Sequence, residues 1–421
     1  MKYLFWAGIV SCFIGEAFRI RVFDLVELFP LRVIVVLALP IILLNPVKRK
    51  QGIWRFASRL LILMLIYGIA SLIWSPDPSL GLRFVNMIFM GLMIFLLVSR
   101  YAIDMSVLKN IMIVWSIISI LSSLLGFYEM LNGQYLFTHV TDYGATNIEL
   151  SRIVYIGWLT PRVFFPGPNE FAFFNAISAL MLIGWAFETR RAYRILAITA
   201  TLLAIILIIN SFSRAAIFGF LIGLVCFLFI LTTKTKLFYR IAAILLIVTI
   251  SIFALYKGKE LLNNSLAISA LTAKIENEEN TIRSAYYTAA FFQGTIGSYG
   301  FGRGLGASTE IILGGSYHHY LLEIIAELGL WIFLGYLILI AKVCIQLWRA
   351  IQQRRNTFWS GGLLASCIAF PVLCAGPASL VYIYLYWLWL AFVVAFTEYD
   401  SIVMRLNQSK LGHHLNSDKS S

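Results

Sequence analysis

The chain has 421 residues, of which 60% are hydrophobic and only 13% charged, with a formal net charge of +13 and a mean hydropathy of +0.86. A soluble domain carries roughly 25% charged residues, so an ordinary water-soluble enzyme is excluded. Apolar runs of about 15–20 residues, with no strict alternation, also exclude a transmembrane β-barrel. The positive charge does not point to nucleic acid: no soluble segment combines a Lys/Arg stripe with interleaved aromatics, and basic loops alone make polytopic membrane proteins positive.

In chain order the apolar runs predict about twelve membrane helices, near 3–20, 31–46, 58–75, 83–99, 109–127, 170–187, 195–210, 215–232, 240–256, 324–346, 359–376 and 379–397. The first ten residues lack a cleavable signal pattern, so the first run is expected to stay as a membrane helix. It carries Glu16, which is costly in lipid. The second run is short and carries Pro40. Basic residues fall in alternate loops: Lys48 to Arg59, Arg100 and Lys109, Arg190 to Arg194, Lys234 to Arg240, and Arg349 to Arg355. The positive-inside rule makes those loops and both termini cytoplasmic.

The expected architecture is therefore an all-α, polytopic membrane helix bundle with a large extracytoplasmic loop carrying short helices. Its parts are N-terminal transmembrane helices over 1–127, a first extracytoplasmic loop over 128–169 and central transmembrane helices over 170–256. A large extracytoplasmic loop over 257–323, C-terminal transmembrane helices over 324–397 and a cytoplasmic tail over 398–421 complete it. Long loops of this kind are usually functional. Within the second, Tyr287, Ala290 and Phe291 share one face at helical spacing, predicting a short amphipathic helix on or near the membrane surface. The polar end from Leu406 to Ser421 is expected to be disordered. Cys12, Cys226, Cys344, Cys367 and Cys374 all lie in apolar runs and read as small buried hydrophobes, without disulfide or metal-ligand spacing.

Three arginines stand apart from the basic loops. Arg162 precedes Phe-Phe-Pro-Gly-Pro-Asn169-Glu170, Arg214 sits in Asn210-Ser-Phe-Ser-Arg-Ala-Ala, and Arg283 starts the amphipathic segment. Guanidinium at the non-cytoplasmic boundary runs against the sorting bias, and its fork matches phosphate and carboxylate oxygens. Pro-Gly-Pro-Asn reads as a turn with Asn169 as helix N-cap and Glu170 in the first turn. His318 and His319 close the second loop, and an imidazole is the usual proton acceptor near neutral pH. On a helix, His319 and Glu323 would share a face. A zinc site is not expected, since no third His or Cys lies nearby in sequence. Gly300-Phe-Gly-Arg-Gly-Leu-Gly306 reads as a flexible turn, because it lacks the register and preceding strand of a nucleotide loop.

Four pieces together carry a resemblance: Trp74-Ser-Pro-Asp-Pro-Ser-Leu80; Arg162 followed by Pro-Asn169-Glu-Phe-Ala172; Ser213-Arg214-Ala-Ala opening a span; and Arg283, the Gly-rich turn, then His318 with Leu322, Glu327 and Gly329. In order and topology the chain resembles the O-antigen ligase and O-antigen polymerase superfamily of bacterial envelopes. His319 stands where that family often has Asn. The resemblance implies an inner-membrane glycosyltransferase working at the outer leaflet on a glycan carried by undecaprenyl pyrophosphate, with a glycan acceptor, no cofactor, no metal and no nucleotide sugar. It implies His318 as catalytic base, Arg214, Arg283 and Arg162 at the donor diphosphate, and Asn169, His319 and Glu323 in support. A polymerase would have a chain-length regulator as partner, whereas a ligase would move finished polymer onto lipid A core or another surface acceptor. A lipid-linked glycan transporter is the remote alternative; two similar halves and mid-membrane charges, common in carriers, are not seen here.

Overall fold

The computed structural model describes residues 2–15, 17–18, 20–22, 26–44, 52–102, 104–137, 159–234, 279–308, 318–354 and 356–417. Their order is α1 (Lys2–Ile14), a hairpin of β1 (Ile20–Val22) and β2 (Val26–Leu28), α2 (Pro30–Leu44), α3 (Ile53–Ser71), α4 (Pro78–Tyr101) and α5 (Met105–Asn132). There follow α6 (Pro168–Ala186), α7 (Arg191–Asn210), α8 (Arg214–Lys234) and α9 (Glu279–Gly294). The last group is the single turn α10 (Tyr320–Glu323), a π-turn over Ile324–Leu328, α11 (Gly329–Gln352), α12 (Thr357–Leu373) and α13 (Tyr384–Ser417). A helix lies at every expected span except 240–256, which falls outside the described residues.

Among the described residues six helices are long and apolar enough to cross a membrane: Ile53–Ser71, Pro78–Tyr101, Met105–Asn132, Arg191–Asn210, Arg214–Thr232 and Tyr320–Gln352. Lys2–Ile14, Pro30–Ile42 and Thr357–Leu373 are apolar but shorter. Leu202, Ile206, Phe218, Val225 and Phe229 lie exposed along α7 and α8. Runs of exposed apolar side chains this regular belong against hydrocarbon rather than water.

Inside the bundle α6 is buried along almost its whole length, with α7 and α12 against it. Glycine permits the closest approach: a Cβ on Gly184 of α6 would lie 2.8 Å from Gly362 Cα of α12. Without a hydrophobic drive between helices in lipid, such close backbone contact supplies packing energy. Gly91 of α4 likewise seats the Trp387 ring of α13.

The bundle has two distinct ends. At the basic end the α6–α7 turn meets the start of α12, where Phe358 N–H donates to Glu188 at 2.6 Å. At the opposite, loop-bearing end the segments 72–77, 159–170, 211–215, 295–308, 318–329 and 374–383 converge.

Four expectations change. The first apolar run stops being helical at Ile14, where Gly15 has φ +57, and a β-hairpin follows. Glu16 lies outside the described residues. The amphipathic helix is present as α9, but its buried face is Ala290 and Gly294, packed on Ala326 and Ile325, while Phe291 points away and is exposed. Small residues let α9 dock backbone to backbone, which leaves the bulky ring outside. The polar tail, expected to lack structure, is helical through Ser417 as a continuation of α13. Pro168 takes the first helical position of α6 with Gly167 as N-cap, so Asn169 lies inside the helix instead of capping it. The fixed φ of proline suits that first position.

Candidate functional site

The floor of the loop end is the segment Cys374–Ile383. Three elements are fastened to it. Glu170, in the first turn of α6, accepts from Ala378 N–H at 2.8 Å and from the Tyr382 hydroxyl at 3.1 Å. That hydroxyl in turn accepts from Ser379 N–H at 3.1 Å. Ser379 Oγ donates to Glu323 at 2.7 Å, which ties in α10. Tyr320 N–H donates to the Cys374 carbonyl at 3.1 Å. The third element is the start of α8: a Cβ on Gly376 would lie 3.3 Å from Ser213 Oγ and from Ala215 Cβ. Arg214 opens α8 beside this contact and is itself exposed.

The two histidines enter from the other side. His318 is half-buried and has φ +48, an unusual backbone for any residue but glycine. Such strain costs of order 1–3 kcal/mol and tends to persist at functional sites. His319 precedes α10, and its carbonyl accepts from Leu322 and Glu323 N–H, each at 3.0 Å. Its ring stands edge-on to Tyr287 of α9 at 5.8 Å and places Nδ1 3.9 Å from Cys374 Sγ, a long contact. The Cys374 thiol donates to the Pro371 carbonyl at 3.2 Å. Burial pushes the His319 imidazole below its ordinary pKa, so the ring is neutral near pH 7.

The helix starts at Tyr320, so His319 and Glu323 do not share a helical face as expected; Glu323 turns to Ser379 and His319 to Cys374. Glu323 is buried, and its Oε2 has no hydrogen-bond partner among the described residues. A buried carboxylate oxygen left open costs about 1–3 kcal/mol or more. An incoming hydroxyl donor would recover that cost.

The Gly-rich segment is not the free turn that its composition suggests. Gly300, Gly302, Gly304 and Gly306 all have positive φ. The segment threads between α3–α4 and the π-turn. Ser71 Oγ accepts from Leu305 N–H at 3.2 Å, the hydroxyls of Ser75 and Tyr67 donate to the Leu305 and Phe301 carbonyls, and Arg303 N–H donates to the Ala326 carbonyl at 2.8 Å. A Cβ on Gly304 would come within 2.8 Å of Ser71 O, and one on Gly302 within 2.6 Å of Glu327 O. Glu327 accepts from Ser308 N–H at 3.3 Å and so closes the segment onto the π-turn. The Trp74–Leu80 piece gains a physical role here. Asp77 caps α4 by accepting from Leu80 N–H at 3.0 Å, Pro78 begins the helix, and Ser75 holds the glycine segment.

Arg162 is held by the first-loop segments. It is buried, its guanidinium sits 3.9 Å above the Tyr135 ring, and Nη2 donates to the Phe137 carbonyl at 3.3 Å. Beside it the fully buried Glu129 carboxylate, at the end of α5, accepts from Leu136, Arg162 and Val163 N–H at 2.9–3.0 Å. Arg283 lies in α9 by its backbone, and its side chain is outside the described ones. Asn169 is half-buried in the first turn of α6. The structure thus brings His319, Glu323, Glu170 and the start of α8 onto one floor, with His318 adjacent in sequence.

Sequence reasoning missed the floor itself, namely Cys374, Ser379 and Tyr382, along with Glu129. The available signal was Gly376-Pro377, a turn dipeptide between two apolar runs, followed by polar Ser379 and Tyr382. Among the described residues no three His, Cys, Asp or Glu side chains gather as a metal site.

The fold is that of a helical, polytopic membrane protein. No family model matches the chain. It is similar to the teichuronic acid biosynthesis protein TuaE of Bacillus subtilis (strain 168), with 24% identity over 348 residues, covering 78% of this chain and 69% of that protein.

Proposed function

We propose that the chain is a membrane glycosyltransferase of envelope polysaccharide synthesis, joining glycan repeat units carried on undecaprenyl pyrophosphate at the outer leaflet. The observation that carries this reading is the junction on the Cys374–Ile383 floor. There the half-buried histidine pair 318–319, an open buried carboxylate oxygen and the arginine-bearing start of α8 meet at one end of an apolar bundle. Similarity to a teichuronic acid biosynthesis protein supports polysaccharide synthesis as the process.

In the proposed step the acceptor sugar hydroxyl attacks the donor's anomeric carbon. The carbon–oxygen bond to the diphosphate breaks, the diphosphate leaves with the electron pair, and one displacement inverts the anomeric centre. His318 takes the hydroxyl proton as general base, with His319 setting the turn that presents it. Glu323 Oε2 accepts from a neighbouring sugar hydroxyl. Arg214 and Arg283 stabilise the charge growing on the diphosphate. Arg162, held on Tyr135, builds the first loop's side of the same end.

Polymerisation is the preferred reaction, and ligation of finished polymer to a surface acceptor needs the same donor chemistry. A clean deletion strain separates them when surface-linked and undecaprenyl-linked glycans are sized apart. Loss of long chains, with single repeat units on lipid, is the polymerase result. Long chains stranded on undecaprenyl would show a ligase, and an unchanged glycan profile would overturn the proposal.

A further inference from the structure

A second feature lies at the opposite, basic end and takes no part in the site above. An open cleft of about 660 Å³ runs between α1 and α5, with Tyr101 at the end of α4 also lining it. Both walls start at the same end of the bundle, because Lys2 and Ser106 each lie in the first turn of their helix. The polarity of both walls changes with depth. Lys2, Ser106 and Asn110 are the polar side chains of the mouth, with Val107 between the last two, and Phe5, Trp6, Ile113 and Val114 line the interior. On α5 the passage from Ser106 to Val114 spans about 12 Å, and its polar part about 6 Å, at the rise of an α-helix. A bilayer has a similar profile, with an interfacial layer of roughly 5–7 Å on each side before hydrocarbon begins.

We propose that this cleft is a binding site for one anionic glycerophospholipid of the leaflet at the basic end. The lipid phosphate meets the Lys2 ammonium, the polar glycerol region meets Ser106 and Asn110, and an acyl chain lies along Phe5, Trp6 and Val114. Three observations select this occupant. The mouth carries a cation and two uncharged hydrogen-bonding side chains with no acid among them, so charge favours an anion. The interior is apolar and its walls are apolar helices of the bundle, α5 being long enough to cross a membrane, which suits an acyl chain. The volume fits the 300–1,000 Å³ usual for a small-molecule site, enough for a headgroup with the upper part of a chain. A water-soluble phosphate would leave that apolar wall bare.

The test is native mass spectrometry of the full chain released from detergent, titrated with phosphatidylglycerol or with phosphatidylcholine. The wild type should retain one phosphatidylglycerol in preference to phosphatidylcholine. Lys2→Ser should lower that preference about fivefold, the share of one basic residue near a lipid surface. Asn110→Asp, an exposed position whose change leaves the packing alone, should lower it further. Val114→Trp should fill the interior and reduce retention of both lipids. Equal retention of the two lipids by the wild type, or a preference unmoved by Lys2→Ser and Asn110→Asp, would overturn the proposal. So would a wild-type dimer that Val114→Trp splits, since a second copy would then be the occupant. If Val114→Trp fails to run as a folded species on size exclusion, the two mouth variants decide.

Discussion

Replacing Tyr382 by Phe removes one oxygen and leaves the ring in place. The lost hydroxyl donates to Glu170 at 3.1 Å and accepts from Ser379 N–H at 3.1 Å. A net hydrogen bond is worth about 1 kcal/mol, more when its partner is a carboxylate, and an abandoned buried N–H adds its own desolvation cost. The expected destabilisation is about 2–3 kcal/mol, read as a shift in unfolding of the detergent-solubilised protein. Glu170→Gln keeps an acceptor for both Ala378 N–H and Tyr382, and is expected to cost about 1 kcal/mol. The double variant should show coupling of about 1 kcal/mol, because the two residues share one bond. Transfer activity should fall with stability, at temperatures where the protein is still folded. The floor that Tyr382 anchors also holds Glu323 and Tyr320, and a displacement of 1 Å at reacting groups costs on the order of 100-fold. Additivity within about 0.3 kcal/mol, together with full turnover, would refute the view that Cys374–Ile383 organises the site.

The histidines should separate by function. His318→Ala should abolish transfer while the protein stays folded, whereas His319→Asn should fold normally and retain most activity, since Asn is a favoured residue just ahead of a helix; equal loss in the two would reverse the assignment. Gly304→Ala should lower stability by about 2 kcal/mol, from a left-handed backbone and a Cβ 2.8 Å from Ser71 O, and a neutral result in thermal unfolding would remove the glycine segment from the fastened part of the fold. Burial raises Glu188, outside the spanning helices, to about 7. The folded protein therefore binds that proton more tightly than the unfolded chain, and stability falls as pH rises from about 4.5 to about 7. Glu188→Gln should then match the wild type near pH 5 and exceed its melting temperature increasingly up to pH 8; a gap that is flat with pH would contradict the shift.

Much of this molecule is legible in its hydropathy, for a physical reason. A helix that must satisfy its own backbone in lipid advertises itself as an apolar run, and α3, α4, α5, α7 and α8 all lie where such runs fall. Local chemistry was legible in part: Pro-Gly-Pro-Asn169 places the start of α6, though Gly167 and not Asn169 is the cap, and α9 lies where helical spacing puts it. The rest depends on contacts between distant segments. Gly300–Gly306 has the composition of a loose turn, and only the approach of Ser71, Ser75 and Ala326 makes it a fastened strap. Ser379 and Tyr382 sit beside two long apolar runs, so averaging over a window hides them; their partners Glu323 and Glu170 are 56 and 212 residues away in sequence. Glu129 reads as one acid at a helix end. Its role as acceptor for three backbone N–H groups exists only once the first loop folds back on it.

The central claim is that the protein makes a glycosidic bond at the expense of a lipid diphosphate. The most direct measurement reconstitutes the purified chain in liposomes with undecaprenyl-pyrophosphate-linked repeat units, then sizes the lipid-linked glycan and assays free undecaprenyl pyrophosphate. The account predicts longer lipid-linked chains, one undecaprenyl pyrophosphate released per bond formed, and loss of both signals in Arg214→Ala and His318→Ala. Repeat units that cross the bilayer unchanged in length, with no undecaprenyl pyrophosphate released, would contradict it and identify a transporter.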